Sequence, residues 1–298
     1  MLKTAEEEQA WSDKLWDSAE ATEHRTQQEK DFGLWSGKAF HMPEADGKWD
    51  NVTTNAATVL GNKVLNLLAS ADMKLFIDVD DEKKAKRKKI ASAEQLANGV
   101  IAMANRQLTA VPEGKSIQDA LAFFATTRGG TAKSVYLYVD ADGKVCVDAQ
   151  IYDPMFCQWE SGAKELAKFC YRAYVKKEWI ESAYEEYLTK NWKDGYDYGK
   201  AGADGLILLY CFCDTQSWKV SCNGKYIVEE EHGLGYVPVN IRSVGSAPHI
   251  HSSVDQTSTR KFSWRSVYAD DREMYDLDSM MLSIQASKAK EAGKTIVA

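Results

Sequence analysis

The chain has 298 residues, 44% of them hydrophobic and 27% charged, with a formal net charge of −7. That balance belongs to a folding chain, long enough for one large domain or two ordinary ones, and not to a disordered one. The acidic surplus argues against a general nucleic-acid binder, and no apolar run reaches the roughly 18 residues of a membrane-spanning helix.

The first eight residues are acidic and lack the apolar segment of a secretory signal. Residues 5–30 place Trp11, Leu15, Trp16 and Ala19 on one narrow helical stripe. So polar a helix has to dock on something else. Residues 31–48 hold Gly33, Gly37, Pro43 and Gly47 and read as loop. Asp50 or Asn51 is placed to cap the next helix, where Val52, Ala56, Val59, Leu60, Val64, Leu67 and Leu68 form a broad stripe. Leu75, Phe76, Ile77 and Val79 suggest a short strand. Residues 80–109 are helical again. They open on Lys83, Lys84, Lys86, Arg87, Lys88 and Lys89 and bury Ile90, Leu96, Ile101 and Leu108 further on. Pro112 and Gly114 end that helix, and Ser116 caps a short one carrying Ile117, Ala120, Leu121 and Phe124.

Next comes the best-marked stretch of the chain. Gly129-Gly130 leads into the strand formers Val135, Tyr136, Leu137, Tyr138 and Val139. Asp142-Gly143 turns the chain, and Val145, Val147, Ala149 and Ile151 then alternate with Cys146, Asp148 and Gln150 at strand period. Asp153-Pro154 stops the hairpin, since proline has no N–H for a ladder. Residues 166–175 favour strand and 177–190 helix. Three strands follow at 206–213, 218–222 and 226–231, with Asn223-Gly224 a strong two-residue hairpin turn. Pro238 makes residues 236–244 an edge or a strand start. Residues 262–292 form one long helical pattern. The fold class is therefore α+β, with a hairpin and an antiparallel meander packed on helices and not a doubly wound parallel sheet.

Candidate sites are few. Gly114-Lys115-Ser116 and Gly293-Lys294-Thr295 lack the earlier glycine and leading strand of a phosphate loop. His249 and His251, with Asp255 nearby, have metal-ligand chemistry but no evident further clustered ligand, and a surface loop explains them better. The six cysteines form no Cys-x-x-Cys pair, which suits reduced thiols in an intracellular chain. Cys211 and Cys213 read as small buried hydrophobes. The run Lys83, Lys84, Lys86, Arg87, Lys88 and Lys89 suits contact with phosphate or an acidic partner. It also suits the solvated face of a helix, and the absence of interleaved aromatics favours that reading. Val267, Met274, Leu277, Met281 and Ile284 make an apolar stripe on the last helix, and Tyr268, Tyr275, Met280 and Leu282 widen it beyond one side. A helix apolar on more than one side needs more than one partner.

Two blocks occur in a familiar order. The first is Gly129-Gly130, a strand, the turn at Asp140-Ala141-Asp142-Gly143, a second strand and Tyr152-Asp153-Pro154. The second is His232-Gly233-Leu234-Gly235-Tyr236-Val237-Pro238-Val239, a polar loop, and a helix containing Met274-Tyr275-Asp276-Leu277. Over residues 51–292 this resembles the wing of tailed-bacteriophage portal proteins, the head-to-tail connectors, as it runs into the stem. The resemblance implies a helical arm and loop at 1–49, a wing at 50–259 and the start of a stem helix at 260–298. It implies a homo-oligomeric ring, usually twelvefold, at a capsid vertex of the virion, assembled in the host cytoplasm. Double-stranded DNA would pass through the ring, with terminase, capsid and tail adaptor proteins as partners. No catalysis, cofactor, metal or membrane is implied. Portals continue beyond this helix into a clip, a second stem helix, a tunnel segment and a crown, so a fragment or a small variant is expected. The apolar stripe would be a subunit interface. Two other classes stay open. One is a different virion structural or adaptor protein. The other is an enzyme whose site assembles only in space, for instance in a cleft that collects His232, His249 or Asp255.

Overall fold

The sheets are antiparallel, and the chain is of the α+β class with a long C-terminal helix. The computed structural model describes residues 4–42, 49–71, 87–139, 142–162, 165–192, 195–202, 204–245 and 264–297. The helices are α1 (Ala5–Trp16), α2 (Ala19–Ser36), α3 (Ala56–Ala69), α4 (Arg87–Leu108), α5 (Ile117–Arg128), α6 (Lys177–Ala183), α7 (Glu185–Asn191) and α8 (Arg272–Val297). The strands are β1 (Gly130–Val139), β2 (Val145–Tyr152), β3 (Cys157–Ser161), β4 (Leu166–Val175), β5 (Ile207–Asp214), β6 (Ser217–Cys222), β7 (Lys225–Glu231) and β8 (Val239–Ser243). They form a sheet of order β2-β1-β8 and another of order β3-β4-β5-β6-β7. The chain divides into one unit of Met1–Glu23, Ala132–Leu137 and Gln150–Ile241, and another of His24–Thr131, Tyr138–Ala149 and Arg242–Ala298.

The first unit is built on the five-stranded sheet. Strand β5 lies at its centre, which is why its sequence is apolar at nearly every position and does not alternate. Leu209, Cys211, Val220 and Ile227 face Ile180, with Tyr184, Leu188 and Tyr196 closing the cluster. The Asn223-Gly224 turn has positive φ at both residues, 49° and 74°, as a two-residue turn between twisted strands requires. Residues 177–190, expected as one helix, are two, broken at Tyr184.

The opposite face of that sheet is covered by α1, and the contact is mostly polar. Lys219 Nζ donates to Glu8 Oε1 at 2.7 Å, and Arg172 Nη1 donates to Asp13 Oδ1 at 2.7 Å. Tyr210 adds its hydroxyl to Asp13 at 2.8 Å, while Ser12 donates to Gln158 at 3.0 Å. Apolar anchoring comes from Trp11, edge-on to Phe212, and from Trp16, stacked on Phe156 and lying under the Arg172 guanidinium. Burial raises the Glu8 carboxyl above its usual range despite the adjacent ammonium. Burial alone would lower Lys219, but its bond and charge contact with Glu8 leave it raised. The docking that so polar a helix demanded is therefore made by charge pairs on a sheet face.

In the second unit α3 and α5 pack side by side. Phe32 and Trp35 of α2 meet Phe123 of α5 at ring separations of 6.4 and 5.0 Å. These contacts explain a correction: α2 runs through Gly33 to Ser36, where a loop was expected. The stop is at Gly37, which has φ +69°, and Lys38 N–H closes back on the Gly33 carbonyl at 2.9 Å. Ser116 caps α5 as expected, its hydroxyl accepting from Asp119 N–H. The Gly129-Gly130 pair answers close packing. Gly129 ends α5 at φ +72°, and a Cβ there would lie 2.6 Å from the 264–265 backbone, while one on Gly130 would strike the Trp264 ring. The expected strand at 75–79 lies outside the described residues.

Candidate interface on the C-terminal helix

Helix α8 starts later than periodicity suggests. Residues 264–271 are turns, tied down one by one. Val267 N–H donates to the Thr126 carbonyl at 3.1 Å. The fully buried Tyr268 gives its hydroxyl to the Ala57 carbonyl at 3.2 Å and fills the space that Gly61 leaves by having no Cβ. Buried Asp31 accepts from Ser266 Oγ at 2.6 Å and from both Nε and Nη2 of Arg272 at 2.6 and 2.8 Å. This planar, two-pronged pairing fixes the first residue of α8. Val267 therefore stands apart from the helix on which the stripe was expected.

The buried side of α8 is not its apolar side. Ser279, Ser283 and Ser287 are 4%, 0% and 5% exposed. Their hydroxyls accept from the backbone N–H groups of Thr54, Val52 and Asp50 at 3.3, 2.9 and 2.7 Å. The match is geometric. Four helical residues rise about 6.0 Å, and two residues of extended chain advance about 6.6 Å, so every second N–H meets every fourth residue. Residues 50–54 are consequently extended, and α3 begins only at Ala56. Asp50 and Asn51, expected to cap it, do not. Asn51 accepts from Met42 N–H, and Asp50 pairs with Lys290 at 2.8 Å.

A residue two positions from a serine lies about 200° around the helix. Leu277 and Met281 are two positions before Ser279 and Ser283, so they point outward. Met274, Leu277, Met281 and Leu282 are 53%, 44%, 51% and 42% exposed. Ile284 and Met280 are half-buried. The structure thus brings Met274, Leu277 and Met281 onto the outer part of one helix, with Ile284 half-buried at its flank, and leaves most of that surface to solvent. Beside it runs a groove of about 960 Å³, with Leu34 and Phe40 on one side and Met274, Leu277 and Met280 on the other.

Among the described residues the remaining sequence candidates do not converge on chemistry. Lys83, Lys84 and Lys86 lie outside the described residues. Arg87, Lys88 and Lys89 belong to the first turn of α4. His249, His251 and Asp255 also lie outside the described residues. Gly114 turns tightly against the Leu108 and Val111 carbonyls, and Gly293-Lys294-Thr295 lies within α8, so neither forms a strand-to-helix phosphate loop. Cys213 sits 3.8 Å from His232 Nε2, but that nitrogen lies 2.9 Å from the Asp214 carbonyl, to which it donates, while Nδ1 accepts from Leu234 N–H. The ring is therefore committed at both nitrogens. Burial, and next the Asp214 charge, push the Cys213 thiol up to about 12, opposite to an activated nucleophile. Among the described residues no cluster of His, Cys, Asp and Glu could hold a metal ion, and no helix is long and apolar enough to cross a membrane.

The chain matches no protein-family model, and no curated protein matches it. Two features escaped the sequence reading. The Ser-x-x-x-Ser-x-x-x-Ser spacing of 279, 283 and 287 was visible, but serine is not scored as a core residue. Glu8 and Asp13 looked like ordinary surface acids on an acidic helix.

Proposed function

We propose that the chain is a structural subunit of a ring-forming assembly of the portal type, placed at a capsid vertex through which DNA passes. In this reading terminase, capsid and tail adaptor proteins are its partners, and the chain itself carries no catalysis. The observation that carries the proposal is the outward apolar surface of α8. Met274, Leu277 and Met281 are each about half exposed on a helix whose inner side is already satisfied by serine bonds. Exposed apolar area on this scale is stabilised by a partner that removes it from water. A head-to-tail contact between copies closes into a ring when the rotation between neighbours divides a full turn. The order of the two sequence blocks supplies the portal part of the reading. The acidic net charge is compatible with close packing of copies, because exposed charges are screened beyond about 8 Å at physiological salt.

Mass photometry and light scattering on the full chain test this. The expected result is a concentration-dependent mixture of oligomers that collapses to monomer with Leu277→Asp or Met281→Asp. A monodisperse parent monomer, with both variants indistinguishable from it, would reject the interface and with it the ring.

A further inference from the structure

A separate observation concerns α1 and goes beyond the ring reading. The sheet face beneath α1 presents two cations, Arg172 and Lys219, each under 10% exposed, and α1 answers with Asp13 and Glu8. Such a surface selects an acidic helix by charge position, beside the apolar anchoring that Trp11 and Trp16 supply. When the helix leaves, water rehydrates Glu8, Lys219 and Arg172, which offsets part of the cost of uncovering Phe212, Tyr210 and Cys170 beneath Trp11.

The join between α1 and α2 is short, only Asp17 and Ser18. Asp17 N–H still reaches the Asp13 carbonyl at 2.9 Å, and Thr22 N–H reaches the Ser18 carbonyl at 3.0 Å. Between these two bonds the helical series is interrupted: the Ser18 N–H and hydroxyl both bond to the Leu15 carbonyl, and the hydroxyl caps α2 by accepting from Ala21 N–H. Neither Asp17 nor Ser18 is a proline or glycine. Straightening this join into one continuous helix would exchange the serine cap for ordinary helical bonds.

We propose that this sheet face is a receptor for an acidic helix and accepts α1 from a second copy of the chain as well as from its own. The second copy is the favoured occupant because its helix reproduces every contact. Docking within one chain and docking between chains then differ only in effective concentration.

The test uses full-length chains carrying Leu277→Asp and Met281→Asp, so that association through α8 is absent and the two proposals fail separately. In this background Glu8→Lys and Lys219→Glu are made singly and together. Each single variant is expected to be monomeric, with α1 cleaved at least about tenfold faster by protease, because a like-charge pair blocks docking. An equimolar mixture of the two is expected to form a heterodimer and regain protection. The α1 helix of the Glu8→Lys chain then fits the sheet face of the Lys219→Glu chain, and the reciprocal docking restores the original pair. The double variant should be protected within one chain. The pair Asp13→Arg and Arg172→Asp repeats the design, in case Lys219→Glu fails to fold by circular dichroism. Mixtures that behave as the average of their components in both pairs would overturn the proposal. So would double variants that leave α1 unprotected, because these charges would then not be what the face recognises.

Discussion

Replacing Ser283 with alanine isolates the bond that sets the orientation of α8. The Ser283 hydroxyl is fully buried, accepts from Val52 N–H at 2.9 Å and donates to the Ser279 carbonyl at 2.8 Å. Alanine leaves the Val52 N–H without its acceptor, which costs about 1–3 kcal/mol for a buried donor. Alanine is the better helix former by up to about 0.5 kcal/mol, which offsets part of that loss. The net expectation is a loss of about 0.5–2.5 kcal/mol in urea unfolding at unchanged m-value. Ser279→Ala should cost less, because its bond to Thr54 is longer at 3.3 Å. Gln285→Ala, on the exposed side of the same helix, is the control and should change stability by less than about 0.5 kcal/mol. If Ser283→Ala matched or exceeded the parent in stability, the serine bonds would not be what buries this side of α8. The outward placement of Leu277 and Met281 would then lose its physical cause.

Other outcomes follow from single contacts. Gly61→Ala forces a Cβ against the Tyr268 hydroxyl and should cost about 1–3 kcal/mol in thermal or urea unfolding, with Tyr268→Phe relieving part of the loss. Lys219→Met strands the buried Glu8 carboxylate and should cost about 3–5 kcal/mol at neutral pH. That loss should shrink on acidification, because a carboxyl whose folded pKa is raised contributes its stability in the protonated form. The thiols of Cys170, Cys211 and Cys213 are pushed up to about 12 and that of Cys222 to about 11, in each case chiefly by burial. Their stabilising effect is full below the ordinary thiol range near 8.5 and is lost as pH rises through 11–12, so melting temperatures should fall across that window and not below it. In a disulfide-exchange assay at pH 8, Cys146 should react first and the five buried cysteines only with unfolding.

The elements set by local chemistry were legible before any coordinates. Asn223-Gly224 could only be a tight turn, Ser116 a cap and Asp153-Pro154 a strand stop, because backbone sterics and hydrogen-bond geometry act within a few residues. The α+β class followed from the same signals. What the chain alone could not disclose was which side of an amphipathic element faces inward. Helix α8 carries an apolar stripe, and hydrophobicity alone would turn that stripe to the core. Its serines are buried instead, because an extended segment more than 200 residues away in sequence supplies N–H donors at a matching spacing. In the same way Gly33 looked like a helix stop until ring contacts to Phe123 carried α2 past it to Gly37. Glu8 became a buried partner and Asp13 a half-exposed one only when β6 and β4 brought Lys219 and Arg172 beneath them. Turns and caps are decided by neighbours along the chain, whereas the burial of a polar group is decided by a partner in space that periodicity does not encode.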